Sequence, residues 1–111
     1  MPRLDFYVDQ KQFLNIRLGD GEIHLGRGAD CQIQLPAERV SRHHASIRRI
    51  APDVYEIENT STNGTRLNAA MVEEPTKLHA GDRIYIDKYV IIYQPDEAPS
   101  AKLEVSSTAL G

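Results

Sequence analysis

The chain has 111 residues, 41% of them hydrophobic and 26% charged, with a formal net charge of -3. That is the length of one domain, able to bury roughly two-thirds of its unfolded surface in a single core, and the mild acidity excludes a globally basic nucleic-acid binder. No apolar run approaches the roughly 20 residues of a membrane-spanning helix, and the single cysteine, Cys31, excludes an internal disulfide.

Segments of alternating polarity recur along the chain with turn residues between them, the pattern of an antiparallel sandwich or barrel. LDFYV (4–8) and FLNIRL (13–18) read as strands, and Asp20-Gly21 reads as a hairpin turn before EIHLG (22–26). QIQL (32–35) ends at Pro36, and HASIRRI (44–50) ends at Ala51-Pro52-Asp53. VYEIE (54–58) leads into the polar run NTSTNGT (59–65), which TRLN (65–68) leaves. RIYID (83–87) and YVIIYQ (89–94) follow a turn at Gly81-Asp82. No window carries a helical apolar stripe with caps, so the expected fold class is all-β. After Pro95 the composition turns to small and acidic residues, which predicts one domain over 1–95 and a flexible tail or linker over 96–111.

Charge is uneven. Residues 39 to 50 contain Arg39, Arg42, Arg48 and Arg49 and no acidic residue, which points to an anionic partner at one place. Three inter-strand stretches share a chemistry: GRG (26–28), RVSRHHA (39–45) and NTSTNGT (59–65). They supply Arg27, Arg39 and Arg42 as permanent cations, Ser41 and Thr62 as hydroxyl donors and Asn63 as an amide. Such a set suits an oxyanion with several acceptor oxygens, phosphate above all, because arginine pairs with it through two parallel hydrogen bonds.

These stretches also carry a resemblance. GR at 26–27, SRHH at 41–44, NTSTNGT at 59–65 and HAGD at 79–82, with CQIQLP between the first two and LN after the third, are similar in order and spacing to the motifs of the forkhead-associated (FHA) domain. The resemblance covers roughly residues 4 to 94. It implies a β-sandwich of about eleven mostly antiparallel strands, with ligand loops at one apex, that binds phosphothreonine peptides and catalyses nothing. By the same resemblance, Arg27 and Ser41 hold the phosphate, Arg42 reaches the phosphate or the peptide, and Thr62 adds a hydroxyl or backbone contact. Asn63 holds the peptide main chain, and Arg39 reads the third residue after the phosphothreonine, with an acidic one preferred. His44 ties the Ser41 loop to the Asn63 loop, Gly64 supplies a turn that a β-carbon would hinder, and Gly26 lets Arg27 leave its strand toward the apex. The implied setting is signalling downstream of a Ser/Thr kinase.

Other readings are weaker. His43, adjacent to His44, is not expected to touch the ligand, and Arg48 and Arg49 sit about 13 to 17 Å past His44 along a strand, on a solvated face. Cys31 reads as core, and Asn68 as support for a turn. Ser41 and His44 invite a nucleophile and base reading, but three residues along an extended chain put them on opposite faces, and no orienting carboxylate has recognisable spacing. His24, His43, His44 and His79 form no zinc pattern in the linear sequence, and Cys31 adds none, so neither a metal nor a cofactor is expected. Nucleic-acid and membrane partners are not expected either. The lone cysteine and the charged start MPRLDFYVDQKQF make a cytoplasmic protein the expectation. Two alternatives stand: an FHA-fold interaction or self-association domain that ignores phosphate, and capture of a phosphorylated Thr108, in the tail, by the apex of the same chain or a neighbour.

Overall fold

The computed structural model describes residues 2–94. The proposed tail over 96–111, with Thr108, lies outside the described residues. Within them the chain forms strands and no helix: β1 (Arg3–Val8), β2 (Lys11–Arg17), β3 (Ile23–Gly26), β4 (Ile33–Gln34), β5 (Ala45–Ala51), β6 (Val54–Asn59), β7 (Arg66–Leu67), β8 (Ala70–Met71), β9 (Thr76–Lys77), β10 (Arg83–Ile86) and β11 (Tyr89–Gln94). These build a six-stranded sheet in the order β2-β1-β11-β10-β7-β8 and a five-stranded sheet in the order β4-β3-β5-β6-β9. Every pairing is antiparallel except that of β3 with β4. The expected all-β sandwich of about eleven strands is therefore what the chain adopts.

Alternation decides which residues fill the space between the sheets. Tyr89, Ile91 and Tyr93 of β11 are buried in turn while their neighbours are half-buried, and Ile84 and Ile86 of β10 do the same. They meet Leu4 and Phe6 of β1, Leu25 of β3, Ile47 of β5 and Tyr55 and Ile57 of β6 in one core. Edge strand β2 departs from this rule, since Phe13 and Leu14 stay 46% and 36% exposed. Phe13 still stacks against Phe6 and Tyr89, at centroid distances of 6.1 and 5.9 Å.

One turn expectation fails. Asp20-Gly21 closes no hairpin, because β2 pairs with β1 in one sheet while β3 pairs with β4 and β5 in the other. The chain changes sheets there: Leu18 is buried and its N–H donates to the Pro2 carbonyl, closing the β1-β2 ladder. Gly21 accordingly lacks the positive φ of a primed hairpin turn. A tight hairpin lies instead at Asp9-Gln10, where φ is 53° and 66°, between Val8 and its partner Lys11. Two residues with positive φ match the strand twist, and here neither is glycine. The short strands β8 and β9 have no alternating sequence long enough to announce them.

The topology positions the site. The β3-β4 turn, the long β4-β5 loop and the β6-β7 loop gather at one end of the sandwich, and the β10-β11 turn reaches them where Asp87 approaches Arg39.

Candidate functional site

The base of the apex is a set of backbone hydrogen bonds between the end of β3 and the β4-β5 loop. Arg27 N–H donates to the Ser41 carbonyl at 2.9 Å, Gly28 N–H to Arg42 at 3.0 Å, and His44 N–H to Leu25 at 2.8 Å. The two segments run so close that a β-carbon built on Gly26 would lie 2.2 Å from the Arg42 carbonyl oxygen. The need for glycine at 26 has a further physical reason. It lies in the close approach of the neighbouring backbone, and the φ of Gly26 is not positive.

His44 locks the loops from inside. Its ring is 1% exposed. Nδ1 accepts from the Ser41 backbone N–H at 3.0 Å, and Nε2 lies 2.9 Å from the Gly64 carbonyl. The acceptor role of Nδ1 leaves the proton on Nε2, which donates to Gly64, so one neutral imidazole bridges the Ser41 and Asn63 loops as expected. Burial pushes its pKa down, opposed by the Gly64 hydrogen bond and by the Asp87 charge. The geometry also changes the reason for rejecting a nucleophile and base pair. Residues 41 to 44 are not extended, and the ring does reach Ser41, but it binds the backbone amide there, and its other nitrogen is taken by Gly64.

The polar run 59–65 divides by direction. Asn59 Oδ1 accepts from Ser61 N–H at 3.1 Å, Ser61 Oγ–H at 2.5 Å and Thr65 Oγ1–H at 2.8 Å. Ser61 Oγ in turn accepts from Gly64 N–H at 2.7 Å, and Thr60 Oγ1 donates to the His43 carbonyl at 2.8 Å. These four side chains hold the loop together. Thr62 and Asn63 point outward and are exposed. Gly64 turns the chain with φ 99°, and a β-carbon there would meet Met71 Cε at 2.4 Å. Asn59 is a structural hub that the sequence reading passed over. Its polar setting was visible, but which amide of the run turns inward was not.

The expected ligand residues come together on this frame. Arg27 Nε donates to the Val40 carbonyl at 2.9 Å, which fixes the side chain while its terminal nitrogens keep their donors. Ser41 Oγ accepts from Thr62 N–H at 3.1 Å and retains its own hydroxyl proton. Of the two Thr62 contacts expected, the backbone N–H is thus already engaged, and the hydroxyl is left. Asn63 Nδ2 donates to the Arg39 carbonyl at 2.7 Å, leaving a second N–H and Oδ1. Arg39 is exposed and lies 3.8 Å from Asp87, a partner the sequence reading missed. Among the described residues neither Arg27 nor Arg42 forms an ion pair. Arg27 and the Ser41-Arg42 segment thus lie on mutually bonded backbone, and these two permanent cations and one hydroxyl are the groups that suit an anion.

The neighbours of the site fall into place. His43 Nε2 lies 2.8 Å from Asp30 Oδ2, and this bond holds the Asp30 carboxyl below its usual range. Arg48 pairs with Glu56 at 2.7 Å and Arg49 with Asp20, so both exposed arginines of β5 are ion-paired as well as solvated. Cys31 is buried, and Asn68 takes φ 55° while its side chain bonds Asp82 and the Arg83 N–H, the turn support expected of it.

The FHA domain family model matches residues 23–87. Over 76 residues the chain is 40% identical to the FHA domain-containing protein FhaA of Mycobacterium tuberculosis, covering 68% of this chain and 14% of FhaA. Over 80 residues it is 32% identical to FhaB of Mycolicibacterium smegmatis, covering 72% of this chain and 52% of FhaB. The chain therefore spans only a small part of the one relative and about half of the other. Among solved structures, the FhaA FHA domain complexed with the intracellular domain of Rv3910 is 34% identical, with a TM-score of 0.74 over 85% of this chain and 100% of that one. A domain solved in work on phosphothreonine-dependent FHA domain interactions is 32% identical, with a TM-score of 0.74 over 86% and 99%.

Proposed function

Because this chain belongs to the FHA-domain family, we propose that its apex reads phosphothreonine in partner proteins or peptides. Arg27, Ser41 and Arg42 hold the phosphate, and the Thr62 hydroxyl adds a fourth contact. Asn63 uses its free N–H and Oδ1 on the peptide main chain. Arg39, exchanging Asp87 for the ligand, favours an acidic third residue after the phosphothreonine. Gly26, His44 and Gly64 support this arrangement without touching the ligand.

The observation that carries the reading is Arg27, whose backbone N–H bonds the Ser41 carbonyl, whose Nε is fixed on the Val40 carbonyl and which forms no ion pair among the described residues. A cation that the fold does not neutralise, held by its own backbone and a neighbouring carbonyl, is pre-organised for an incoming anion. Nothing in this reading requires catalysis, a cofactor, a nucleic acid or a membrane. The chain serves as a binding module in Ser/Thr kinase signalling, in the cytoplasm.

The test is calorimetric titration with phosphothreonine, phosphoserine and unphosphorylated peptide libraries. Binding is expected for phosphothreonine alone. Arg27→Ala removes one charged donor to the phosphate and should cost about 1.5 to 3 kcal/mol, roughly tenfold to more than a hundredfold in affinity. A folded protein that binds no phosphopeptide would reject this reading in favour of phosphate-independent association.

A further inference from the structure

Beside the phosphate loops, the β3-β4 turn and the end of the β4-β5 loop bring three side chains of different ligand chemistry together. A carboxylate oxygen of Asp30, Sγ of Cys31 and a ring nitrogen of His43 all lie within 4.8 Å of one another. Asp30 and His43 face solvent, while Cys31 is 8% exposed, with Sγ donating to the Arg42 carbonyl at 3.1 Å.

We infer that Asp30, Cys31 and His43 form a three-ligand site for a divalent transition-metal ion of the zinc class. One sulfur, one imidazole nitrogen and one carboxylate oxygen are the donors zinc takes in tetrahedral sites. Magnesium and calcium prefer oxygen throughout, so the thiol argues against them. Metal bonds of about 2.0 to 2.3 Å require Asp30 and His43 to give up their mutual 2.8 Å hydrogen bond, the imidazole keeping its proton on the other ring nitrogen, and to close on the Cys31 sulfur. Asp30 and His43, both on the surface, have the rotamer freedom for this movement.

The loops need little rearrangement. Gly28 N–H to the Arg42 carbonyl (3.0 Å) and Cys31 N–H to the Gly28 carbonyl (3.1 Å) already hold the turn against residues 42 and 43. On binding, the Cys31 thiol releases its proton to solvent as the metal–sulfur bond forms, and its hydrogen bond to Arg42 is given up. Three protein ligands leave the fourth position to water. His24 stands nearby, its ring centroid 6.1 Å from that of His43. The ion clasps the turn after Arg27 to the segment that carries Arg42, so occupancy stiffens the phosphate loops from the side. Linear spacing hides this site because residues 30 and 31 meet residue 43 only through the β-sandwich.

The test uses reduced, chelator-stripped full chain titrated with Co²⁺ and then Zn²⁺, followed by absorption and by thermal melting. One equivalent of cobalt should raise a thiolate-to-metal charge-transfer band, which Zn²⁺ then bleaches, and either metal should raise Tm. Cys31→Ser should abolish the band. Asp30→Asn and His43→Gln, both on exposed side chains that the fold does not depend on, should weaken binding by at least about tenfold, the loss that even outer partners of a metal site can cause. His79→Ala should change nothing. Lack of a thiolate band, or affinity unchanged in both Asp30→Asn and His43→Gln, would overturn the inference, whatever the peptide titrations show.

Discussion

Gly26→Ala tests whether backbone contact, rather than side-chain chemistry, sets the geometry of the apex. The new methyl would stand 2.2 Å from the Arg42 oxygen, 2.8 Å from its carbonyl carbon and 2.9 Å from His44 N, all main-chain atoms. Restoring an ordinary contact of 3.4 Å to the oxygen requires a retreat of about 1.2 Å. The hydrogen bonds from Arg27, Gly28 and His44 N–H, now 2.8 to 3.0 Å long, flank that contact and would stretch beyond useful length. At about 1 kcal/mol for each of two or three lost bonds, and about 1 to 3 kcal/mol for overpacking, the expected destabilisation is about 3 to 6 kcal/mol. That is a large share of a stability of about 5 to 15 kcal/mol. Urea denaturation followed by circular dichroism measures it. Phosphopeptide affinity should fall as well, because Ser41 and Arg42 move together. A loss under about 1 kcal/mol with peptide affinity unchanged would refute the reasoning, since a retreat of that size cannot leave the flanking bonds intact.

His44 gives a pH dependence of definite sign. Burial holds its folded pKa below the ordinary 6.5, so between the folded value and 6.5 the unfolded chain binds more protons than the folded one. Its contribution is therefore complete above 6.5 and is lost as pH falls from there through the folded pKa. In metal-free protein the urea midpoint should drop from pH 7.5 to pH 5.5 by more in the wild type than in His44→Gln, and equal drops would count against a neutral buried bridge. Asn59→Ala removes one oxygen that accepts from three donors and should cost about 2 to 3 kcal/mol. Asn59→Asp keeps that oxygen and should recover most of the loss by the same denaturation assay. An aspartate variant as unstable as the alanine one would show that the hub role is misassigned.

By itself the sequence determined the class of the fold and the identity of the loops. Alternation in YVIIYQ and RIYI puts every second side chain on one face, and that face must be buried, so strands and core follow from local pattern alone. The excess of arginines, hydroxyls and glycines between strands marked Arg27, Ser41, Arg42 and Asn63 without any knowledge of where they meet. Tertiary structure decided everything that depends on direction and on distance between remote segments. Asp20-Gly21 looks like a hairpin, yet the chain there changes sheets, because a turn dipeptide records backbone freedom and not which strand lies beyond it. Asn59 and Asn63 are the same amide in the same run, and only the fold turns one inward to bind Ser61 and Thr65 and the other outward. Likewise, Gly26 is required by a carbonyl sixteen residues away, and Asp30, Cys31 and His43 gather because two loops pack side by side. Local pattern fixes which face of a strand is buried, whereas contacts across the loops exist only once both sheets are in place.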